Sequence, residues 1–278
     1  MGSSHSLTAT HPLRRLQLVE LEDLAWWPRP VRDLATDYLH FMEARFQLHR
    51  PVVAPLAEAL EACGARHLVD LCTGGSGPVQ ALLEALRLRG LHVSATLTDL
   101  YPNLDALARV AEQSRGAIDF ESQPVDARAV PSRLQGFRTI FNAFHHFSPE
   151  MAVEVLCDAR AAGQPIGVFE LPQRALLTTI PLLLTPLFVW LATPFIRPFQ
   201  WRRLFWTYLC PLVPLTCWWD GIVSQLRAYE PAELAELATR VPEGFTWRVG
   251  RLRLDGTLGH LTYMIGLPTS STGRSARP

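Results

Sequence analysis

The sequence lacks a net charge, a cysteine motif and an apolar leader, and each absence excludes a class of protein. Its 278 residues carry 26 basic and 26 acidic side chains, so no overall field draws the chain to nucleic acid or to a membrane surface. The five cysteines are scattered without a CxxC pair or a metal-ligand spacing, which is typical of buried thiols in the reducing cytosol. Residues 1–6 are polar and contain no signal-peptide core. We therefore expect a cytoplasmic protein that does not bind nucleic acid.

What the sequence does have is a large apolar content. Hydrophobic residues make up 48% of the chain, enough for the core of one large domain or two modest ones. Residues 269–278 are rich in Ser, Thr, Arg, Gly and Pro, and we predict that this tail is disordered.

The chain is organised around an apolar run that breaks abruptly into glycines. His67–Leu71 is typical of a buried strand, and Gly74, Gly75 and Gly77 follow it. Apolar residues then recur at helical spacing over 79–86. Because glycine has no Cβ, the backbone N–H groups of such a turn can contact a ligand above the carboxyl end of the strand. The pattern indicates the start of a nucleotide-binding α/β unit, with an ordinary glycine-rich surface loop as the alternative.

Strand and helix patterns then alternate along the chain. Further strands are predicted at 92–98, 118–121, 138–143 and 166–171. The helices between them make the connections long enough for parallel pairing with right-handed crossovers. After a helix that starts at Pro231, two more strands, 245–249 and 258–266, flank a turn at Asp255-Gly256. A hairpin at the end of a parallel sheet implies one antiparallel strand, and the predicted fold class is α/β.

An acidic residue stands at the tip of the second strand. Asp99 follows the glycines by roughly 20 residues, the position at which a carboxylate holds a ribose diol in nucleotide-binding units. A carboxylate can accept hydrogen bonds from both hydroxyls at once. The alternative is a turn or a helix start, which Pro102 nearby would suit. The position directly after a strand favours ribose binding.

The segment 172–219 departs from the α/β pattern. It contains no acidic residue, but it holds five of the eight tryptophans and several arginines. Within it, Ala175–Ile196 has 22 residues without a charge, which is long enough to cross a bilayer, although prolines interrupt it. Four interpretations follow: a spanning helix, an interfacial hairpin with arginines at its tip, a lid over a ligand site, or a dimer surface.

The first 59 residues are predicted to form a helical cap. Apolar spacing favours an amphipathic helix after Trp26-Trp27-Pro28 and a second helix from about residue 51 to Cys63, ended by Gly64. The cap can bury an edge of the sheet, and the adjacent tryptophans can line a ligand cleft.

Four stretches together resemble the class I S-adenosylmethionine-dependent methyltransferases. They are the acidic strand end with its glycine loop (69–77), the ribose-binding acid (Asp99), the short motif whose acid faces the adenine amino group (Asp126-Ala127) and the histidine-containing stretch after strand four (141–147). A terminal antiparallel hairpin is also typical of the family. The sequence departs from the family's glycine loop at Cys72 and Ser76, which stand where glycine is usual or frequent.

The resemblance implies a Rossmann-like sheet of seven mostly parallel strands with a terminal antiparallel strand, and an apolar, Trp-rich helical insertion after strand five. It divides the chain into a cap (1–59), a cofactor-binding catalytic domain (60–171 and 222–268), a hydrophobic lid (172–221) and a disordered tail (269–278). The implied cofactor is S-adenosyl-L-methionine, with S-adenosyl-L-homocysteine as product. Cofactor contacts are expected from Asp70, Cys72, Thr73, Gly74, Gly75, Asp99, Leu100, Asp126, Ala127 and Asn142.

The implied reaction is methyl transfer by in-line displacement at the sulfonium, in a dry and well-oriented site. An oxygen acceptor also needs a base, and His145 and His146 lie just beyond strand four, where the methyl group should emerge. Their alternative role is to cap or pack the following helix. A thiol or amine acceptor needs less help. No Asn-Pro-Pro-aromatic motif follows strand four, which disfavours methylation of nucleic acid.

The apolar, basic character of 172–219 favours a small lipophilic acceptor, and the topology places this insertion over the carboxyl edge of the sheet. Trp218, Trp219 and Asp220 are the candidates for one wall of the acceptor site, with Trp26 and Trp27 opposite. The same insertion is the candidate for peripheral membrane contact or for a homodimer surface. No metal ligand is predicted.

Two other functions stay open. A nicotinamide-dependent oxidoreductase would need a third glycine where Gln80 stands and free N–H groups where Pro78 has none, so it is disfavoured. The chain could also bind the nucleoside without catalysis, as an assembly partner or as a membrane-attached scaffold.

Overall fold

Seven strands form one sheet in the computed structural model, which describes residues 14–75, 77–174, 181–254 and 259–269. The strands are β1 His67–Leu71, β2 Ser94–Leu97, β3 Ile118–Phe120, β4 Phe137–Phe141, β5 Ile166–Glu170, β6 Phe245–Arg253 and β7 His260–Pro268. Their spatial order is β3-β2-β1-β4-β5-β7-β6. Strands β1 to β5 are parallel, and β7 runs antiparallel to both β5 and β6. The predicted seven-stranded, mostly parallel sheet with a terminal antiparallel strand is confirmed.

Nine α-helices surround this sheet in the described residues. They are α1 Arg29–Phe46, α2 Val53–Cys63, α3 Val79–Leu88, α4 Leu104–Gln113, α5 Pro149–Ala161, α6 Thr185–Ala192, α7 Trp201–Leu204, α8 Leu212–Arg227 and α9 Pro231–Thr239. Alternate side chains of a strand point to opposite faces. Leu68 accordingly packs with α2, α3 and α4, whereas Val69 and Leu71 pack with α5 and α9. The sheet is therefore covered on both sides, as expected for parallel strands.

Local sequence signals set two of the helix ends. The hydroxyl of Ser148 accepts a hydrogen bond from the N–H of Met151 and caps α5. Gly64 ends α2 with φ of +70°, a conformation that glycine adopts without the clash of a Cβ. Both ends agree with the sequence pattern.

The N-terminal helix and the insertion form a third, separate hydrophobic cluster. Val31, Leu34 and Tyr38 of α1 pack with Val189 of α6 and Val213 of α8. The insertion thus folds back on the cap rather than on the sheet, and α8 runs through the predicted lid boundary at residue 221.

A buried ion pair joins the same two segments. Nη2 of Arg203 lies 2.6 Å from Oδ2 of Asp37 in α1, and its Nη1 donates to the carbonyl oxygens of Ile196 and Pro198. Arg203 is only 2% exposed. This arginine therefore locks the insertion to α1 instead of lying at a solvated hairpin tip.

Large apolar side chains remain exposed on the outer side of the insertion, among them Leu191, Phe195, Trp201 and Leu209. Among the described residues, no helix combines the length and the apolarity that crossing a membrane requires. Part of the charge-free run (175–180), the Asp255-Gly256 turn, Ser76 and nearly all of the tail lie outside the described residues.

Candidate active site

The carboxyl ends of β1 and β2 bring the predicted cofactor residues together. Asp70 ends β1 beside Thr98, whose N–H and hydroxyl both donate to the Asp70 carbonyl oxygen. The N–H of Val125 donates to the carbonyl oxygen of Asp99 at 2.9 Å, which places the segment containing Asp126 next to the tip of β2. These acids therefore share one edge of the sheet.

Asp70 is a buried carboxyl group. Its Oδ1 accepts a 2.6 Å hydrogen bond from the hydroxyl of Thr139 on β4. Burial raises the pKa of Asp70 to about 7, against the opposing effect of the Thr139 hydrogen bond. Thr73 lies nearby, also buried, with its N–H bonded to the carbonyl oxygen of Thr98.

The glycine loop lies under the N-terminal helix. Gly74 donates its N–H to Oδ2 of Asp99 at 2.7 Å, and Gly77 donates its N–H to Nε2 of His40 at 3.2 Å. A Cβ on Gly75 would lie 3.0 Å from Cε1 of His40 and 3.3 Å from Cγ2 of Thr36. The glycine at 75 is thus needed for the close approach of α1 as well as for ligand access. Sequence reasoning missed His40, because only the tertiary fold brings it to the loop.

Cys72 occupies the position at which the methyltransferase loop usually has glycine. The backbone conformation at this position explains why glycine is preferred there. Its φ is +58°, in the left-handed region. Burial raises the pKa of the Cys72 thiol well above its usual value, and the negative charges of Asp99, Asp70 and Asp126 add to the effect. The thiol therefore stays protonated at neutral pH.

Asp99 stands half-buried at the tip of β2 with both carboxylate oxygens engaged. Oδ2 takes the Gly74 N–H, and Oδ1 accepts a 2.8 Å bond from the N–H of Tyr101. Helix α4 starts further on, with Asn103 rather than Asp99 as its cap. Leu100 is 42% exposed beside them. Asp99 is therefore a turn former that also lies against the glycine loop.

Asp126 forms an ion pair within its own loop. Arg128 makes a two-pronged contact with its carboxylate, at 2.7 Å from Nη2 to Oδ2 and 3.0 Å from Nε to Oδ1. The hydrogen bond and charge of Arg128 hold the pKa of Asp126 below its usual range. Ala127, the next residue, is buried.

Asn142 turns the chain at the end of β4. Its φ is +51°, and its side-chain Oδ1 accepts a 2.8 Å bond from the N–H of Leu171 beyond β5. The side chain is thus used to tie two strand ends together, directly before the two histidines.

His145 is buried in a 3₁₀ turn, Phe144–His146, and is held by Glu170 at the end of β5. Its Nδ1 lies 2.5 Å from Oε2 of Glu170, whose Oε1 accepts a 2.7 Å bond from the N–H of Phe144. Glu170 is fully buried. The carboxylate therefore fixes both the turn and the orientation of the imidazole.

His146 is about one-third exposed and faces the N-terminal segment. Its Nδ1 lies 2.9 Å from Oδ1 of Asp23, and its ring stacks on that of His145 at 4.5 Å between centroids. Glu20, buried in front of both rings, lies 3.6 Å from each Nε2.

Two arginines bind the backbone of the turn that carries the histidines. Arg227 donates to the carbonyl oxygens of His145 and His146 and lies 2.6 Å from Oδ2 of Asp23. Arg15 donates to the carbonyl oxygen of Phe147 at 2.9 Å. Both imidazoles are therefore set on a backbone that charged side chains fix.

Buried carboxyl groups around the histidines have shifted pKa values. Burial raises the pKa of Glu20 to about 7, of Glu22 to about 8 and of Asp220 to about 6. For Asp23, burial acts in the same direction, but the hydrogen bonds and charges of His146 and Arg227 outweigh it and hold its pKa well below the usual range. Sequence reasoning missed Glu20, Asp23, Glu170 and Arg227; the only local signal was the acidic stretch from 20 to 23.

The predicted acceptor-site residues lie in the turn before α1, which carries Trp26 and Trp27, and on α8, which carries Trp218, Trp219 and Asp220. Asp220 is buried, and its carboxylate accepts from the N–H groups of Leu21 and Glu22, so it orients the turn that carries Glu20. Trp219 donates its Nε1–H to the carbonyl oxygen of Val19. The other tryptophans differ in exposure: Trp26 is 72% exposed, whereas Trp27 and Trp218 are half-buried.

No protein-family model matches the sequence, and no curated protein is similar to it. Solved structures do match. An O-methyltransferase from neocarzinostatin biosynthesis, in complex with S-adenosylmethionine and 2-hydroxy-5-methyl naphthoic acid, superposes with a TM-score of 0.52 at 16% identity, over 87% of this chain and 59% of that one. The plantazolicin methyltransferase, in complex with S-adenosylhomocysteine, superposes with a TM-score of 0.51 at 11% identity, over 90% of this chain and 94% of that one.

The chain has the class I S-adenosylmethionine-dependent methyltransferase fold. The sheet order separates this methyltransferase fold from the dinucleotide-binding one. In the latter, strand order 3-2-1-4-5-6 is parallel throughout, whereas here the neighbour of β5 is the antiparallel β7. The chain spans 59% of the length of the neocarzinostatin enzyme.

Proposed function

We propose that this protein transfers a methyl group from S-adenosylmethionine to a small lipophilic molecule. The observation that supports this most directly is the position of Asp99 against Gly74 at the carboxyl edge of a methyltransferase-type sheet. A carboxylate offers about four acceptor positions, and two are used by the N–H groups of Gly74 and Tyr101. One position on each oxygen is left for the two ribose hydroxyls.

The charge at this edge favours the same cofactor. The negative charges of Asp70, Asp99 and Asp126 raise the pKa of the Cys72 thiol, and the charge of Glu170 at the end of β5 does the same. S-Adenosylmethionine carries positive charge on its sulfonium and ammonium groups, whereas a nicotinamide dinucleotide would bring a negative pyrophosphate into this field. Electrostatics therefore disfavours the oxidoreductase alternative.

The adenine end requires an adjustment of one side chain. Arg128 and its own N–H occupy the acceptor positions of the Asp126 carboxylate. The Arg128 side chain is 37% exposed, so it is free to move outward. We expect it to do so when the adenine amino group bonds to Asp126, with Ala127 packing beside the base.

The chemical step is an in-line displacement in which the carbon–sulfur bond breaks and its electron pair stays on sulfur. The protein contributes position and the exclusion of water. The predicted base residues His145 and His146 follow the carboxyl end of β4, which pairs in parallel with β1, so they and the glycine loop lie at the same edge of the sheet. Trp26, Trp27, Trp218 and Trp219 remain the candidates for the walls of the acceptor site.

Calorimetry on the full chain tests the cofactor. We expect S-adenosylhomocysteine to bind and NADH not to bind; binding of NADH alone would overturn the proposal. Incubation with S-adenosylmethionine and a panel of aromatic phenols and acids, followed by mass spectrometry, then identifies acceptors that gain one CH₂ unit.

The exposed apolar side chains of the insertion favour one alternative, a nucleoside-binding protein that attaches to a membrane surface or to a second copy. Flotation with liposomes and sedimentation in the absence of lipid distinguish these arrangements. If the protein binds S-adenosylhomocysteine but methylates no member of the panel and floats with liposomes, the non-catalytic function is favoured.

A further inference from the structure

Two consecutive histidines and a glutamate from a distant part of the chain face one another without forming hydrogen bonds to each other. Nε2 of His145 lies 3.6 Å from Oε1 of Glu20, and Nε2 of His146 lies 3.6 Å from Oε2 of Glu20. These separations exceed the length of a hydrogen bond. The atoms His145 Nε2 and Glu20 Oε1 are buried and have no hydrogen-bond partner. Both residues are only 2% exposed.

The spacing fits a shared cation. Bonds of about 2.0–2.2 Å from zinc to imidazole nitrogen or carboxylate oxygen place two ligands of a tetrahedral site about 3.4 Å apart. The Glu20–imidazole distances are 3.6 Å, and the ligand atoms of Glu20, His145 and His146 all lie within 4.8 Å of one another. A shared ion would therefore need only small side-chain movements.

The Nδ1 atoms of both imidazoles have the carboxylate partners that are typical of metal-binding histidines. Nδ1 of His145 is held by Glu170 at 2.5 Å, and Nδ1 of His146 is held by Asp23 at 2.9 Å. In the tautomer that donates from Nδ1 to the carboxylate, the lone pair of Nε2 points toward Glu20. Histidines that bind metals are almost always oriented by such a carboxylate or carbonyl partner.

The local charge is negative. Among the described residues, the charged groups that contact the two imidazoles are Glu20, Asp23 and Glu170, and Arg227 contacts Glu20. With neutral imidazoles, three carboxylates and one guanidinium give a charge of −2. Arg227 lies 3.4 Å from Oε1 of Glu20 but bonds more closely to Asp23. A divalent cation would neutralise the group.

We propose that Glu20, His145 and His146 bind one divalent transition-metal cation. Two imidazoles and one carboxylate suit zinc, iron, cobalt or manganese, whereas magnesium and calcium prefer oxygen ligands alone. Three protein ligands leave a coordination position for a further oxygen, as in catalytic zinc sites. The partly exposed edge of His146 gives a route to it.

This site has a direct use in the methyl transfer, and that use rests on the proposed function. The acceptor hydroxyl takes the open position, where the cation lowers its pKa and its proton leaves to solvent. The oxygen then forms the bond to the methyl carbon as the carbon–sulfur bond breaks, and S-adenosylhomocysteine leaves. No oxidant or reductant is required.

Metal titration of the full chain tests the site. After treatment with EDTA, we expect Zn²⁺ to bind in calorimetry at one ion per chain, and Co²⁺ to give visible absorption bands of a nitrogen–oxygen site. Glu20→Gln should abolish both signals. Glu22→Gln, the same change two residues away, should leave both unchanged. Equal Zn²⁺ binding in Glu20→Gln and in the wild-type protein, or no binding by the wild-type protein, overturns the proposal.

Two further variants test the site in case Glu20→Gln fails to fold. His146→Asn changes a partly exposed ligand and should abolish binding while the circular dichroism stays native. Asp23→Asn should weaken Zn²⁺ binding by about 10- to 100-fold, because Asp23 is the hydrogen-bond partner of a ligand and not a ligand itself. Unchanged binding in a folded His146→Asn variant contradicts the site.

Cofactor binding separates the two proposals. The EDTA-treated protein should still bind S-adenosylhomocysteine, since the carboxylate of Asp99 is bonded to Gly74 and Tyr101 and the proposed metal ligands are Glu20, His145 and His146. If S-adenosylhomocysteine binds and Zn²⁺ does not, the metal site is wrong and the proposed function stands. If Zn²⁺ binds at one ion per chain and S-adenosylhomocysteine does not, the site stands and its role in methyl transfer is wrong.

Discussion

The carboxylate of Asp99 accepts a 2.7 Å hydrogen bond from the backbone N–H of Gly74. Two residues separated by a helix and a strand thereby meet where β1 and β2 end. The bond joins the glycine loop and the acid into one surface, which we propose as the site of the cofactor's nucleoside.

Asp99→Ala should weaken the binding of S-adenosylhomocysteine by about 1–3 kcal/mol, because charge-assisted hydrogen bonds to the ribose are lost. Titration calorimetry measures the change. Asp105→Ala, at an exposed acid in the first turn of α4, is the matched control and should bind with wild-type affinity. Equal affinities for the Asp99 and Asp105 variants would move the ribose site elsewhere.

Cys72→Val should destabilise the fold, whereas Cys72→Gly should be tolerated. The φ of +58° is a strained position for a β-branched residue, with a cost of about 1–3 kcal/mol. Urea unfolding measures both variants. Cys157→Val, the same change within helix α5, controls for the chemical substitution. A Cys72→Val variant as stable as Cys157→Val would mean that the loop does not hold this conformation in solution.

Asp70 should make stability depend on pH. Its pKa is raised by burial to about 7 in the fold, against about 3.9 in an unfolded chain, so the folded state binds the extra proton between these values. The stability associated with protonated Asp70 is complete below pH 4 and is lost as pH rises through 7, by at most about 1.4 kcal/mol per pH unit.

Asp70→Asn cannot titrate but can still accept the Thr139 hydrogen bond. Its free energy of unfolding, measured in urea from pH 4 to pH 8.5, should therefore fall less with rising pH than that of the wild-type protein. Asp105→Asn serves as the exposed control, with a wild-type profile. Parallel curves for wild-type and Asp70→Asn would show that Asp70 is already ionised at pH 4.

Arg227→Met should be strongly destabilising. The side chain bonds to two backbone carbonyl oxygens and to Asp23, and a buried acceptor left without its donor typically costs about 1–3 kcal/mol. Thermal unfolding measures the loss. Arg253→Met, at an exposed arginine of β6, should change the melting temperature little. Similar melting temperatures for the two variants would contradict the structural role of Arg227.

The sheet could be predicted because its signals are local. Each strand is a short apolar run, and each helix that follows has its own periodicity and caps, as Ser148 and Gly64 illustrate. The position of Asp99 after β2 could be predicted for the same reason, since its spacing from the glycines is a property of one continuous stretch.

The cluster around the histidines had no such signal. Glu20 and His145 are 125 positions apart in sequence, and the turn that carries Glu20 is positioned by Asp220, a further 75 positions along the chain. His40 reaches the glycine loop only because α1 packs across it. Residue types alone assigned the histidines as a candidate base, and only the tertiary fold placed a carboxylate in front of both.

The salt link between Arg203 and Asp37 has a consequence for engineering. Because the first helix and the insertion share a single interior, neither can be swapped alone into a related enzyme to change which acceptor it takes. A chimera that receives the insertion without α1 would bury the guanidinium of Arg203 without its carboxylate partner. The two segments must therefore be exchanged together.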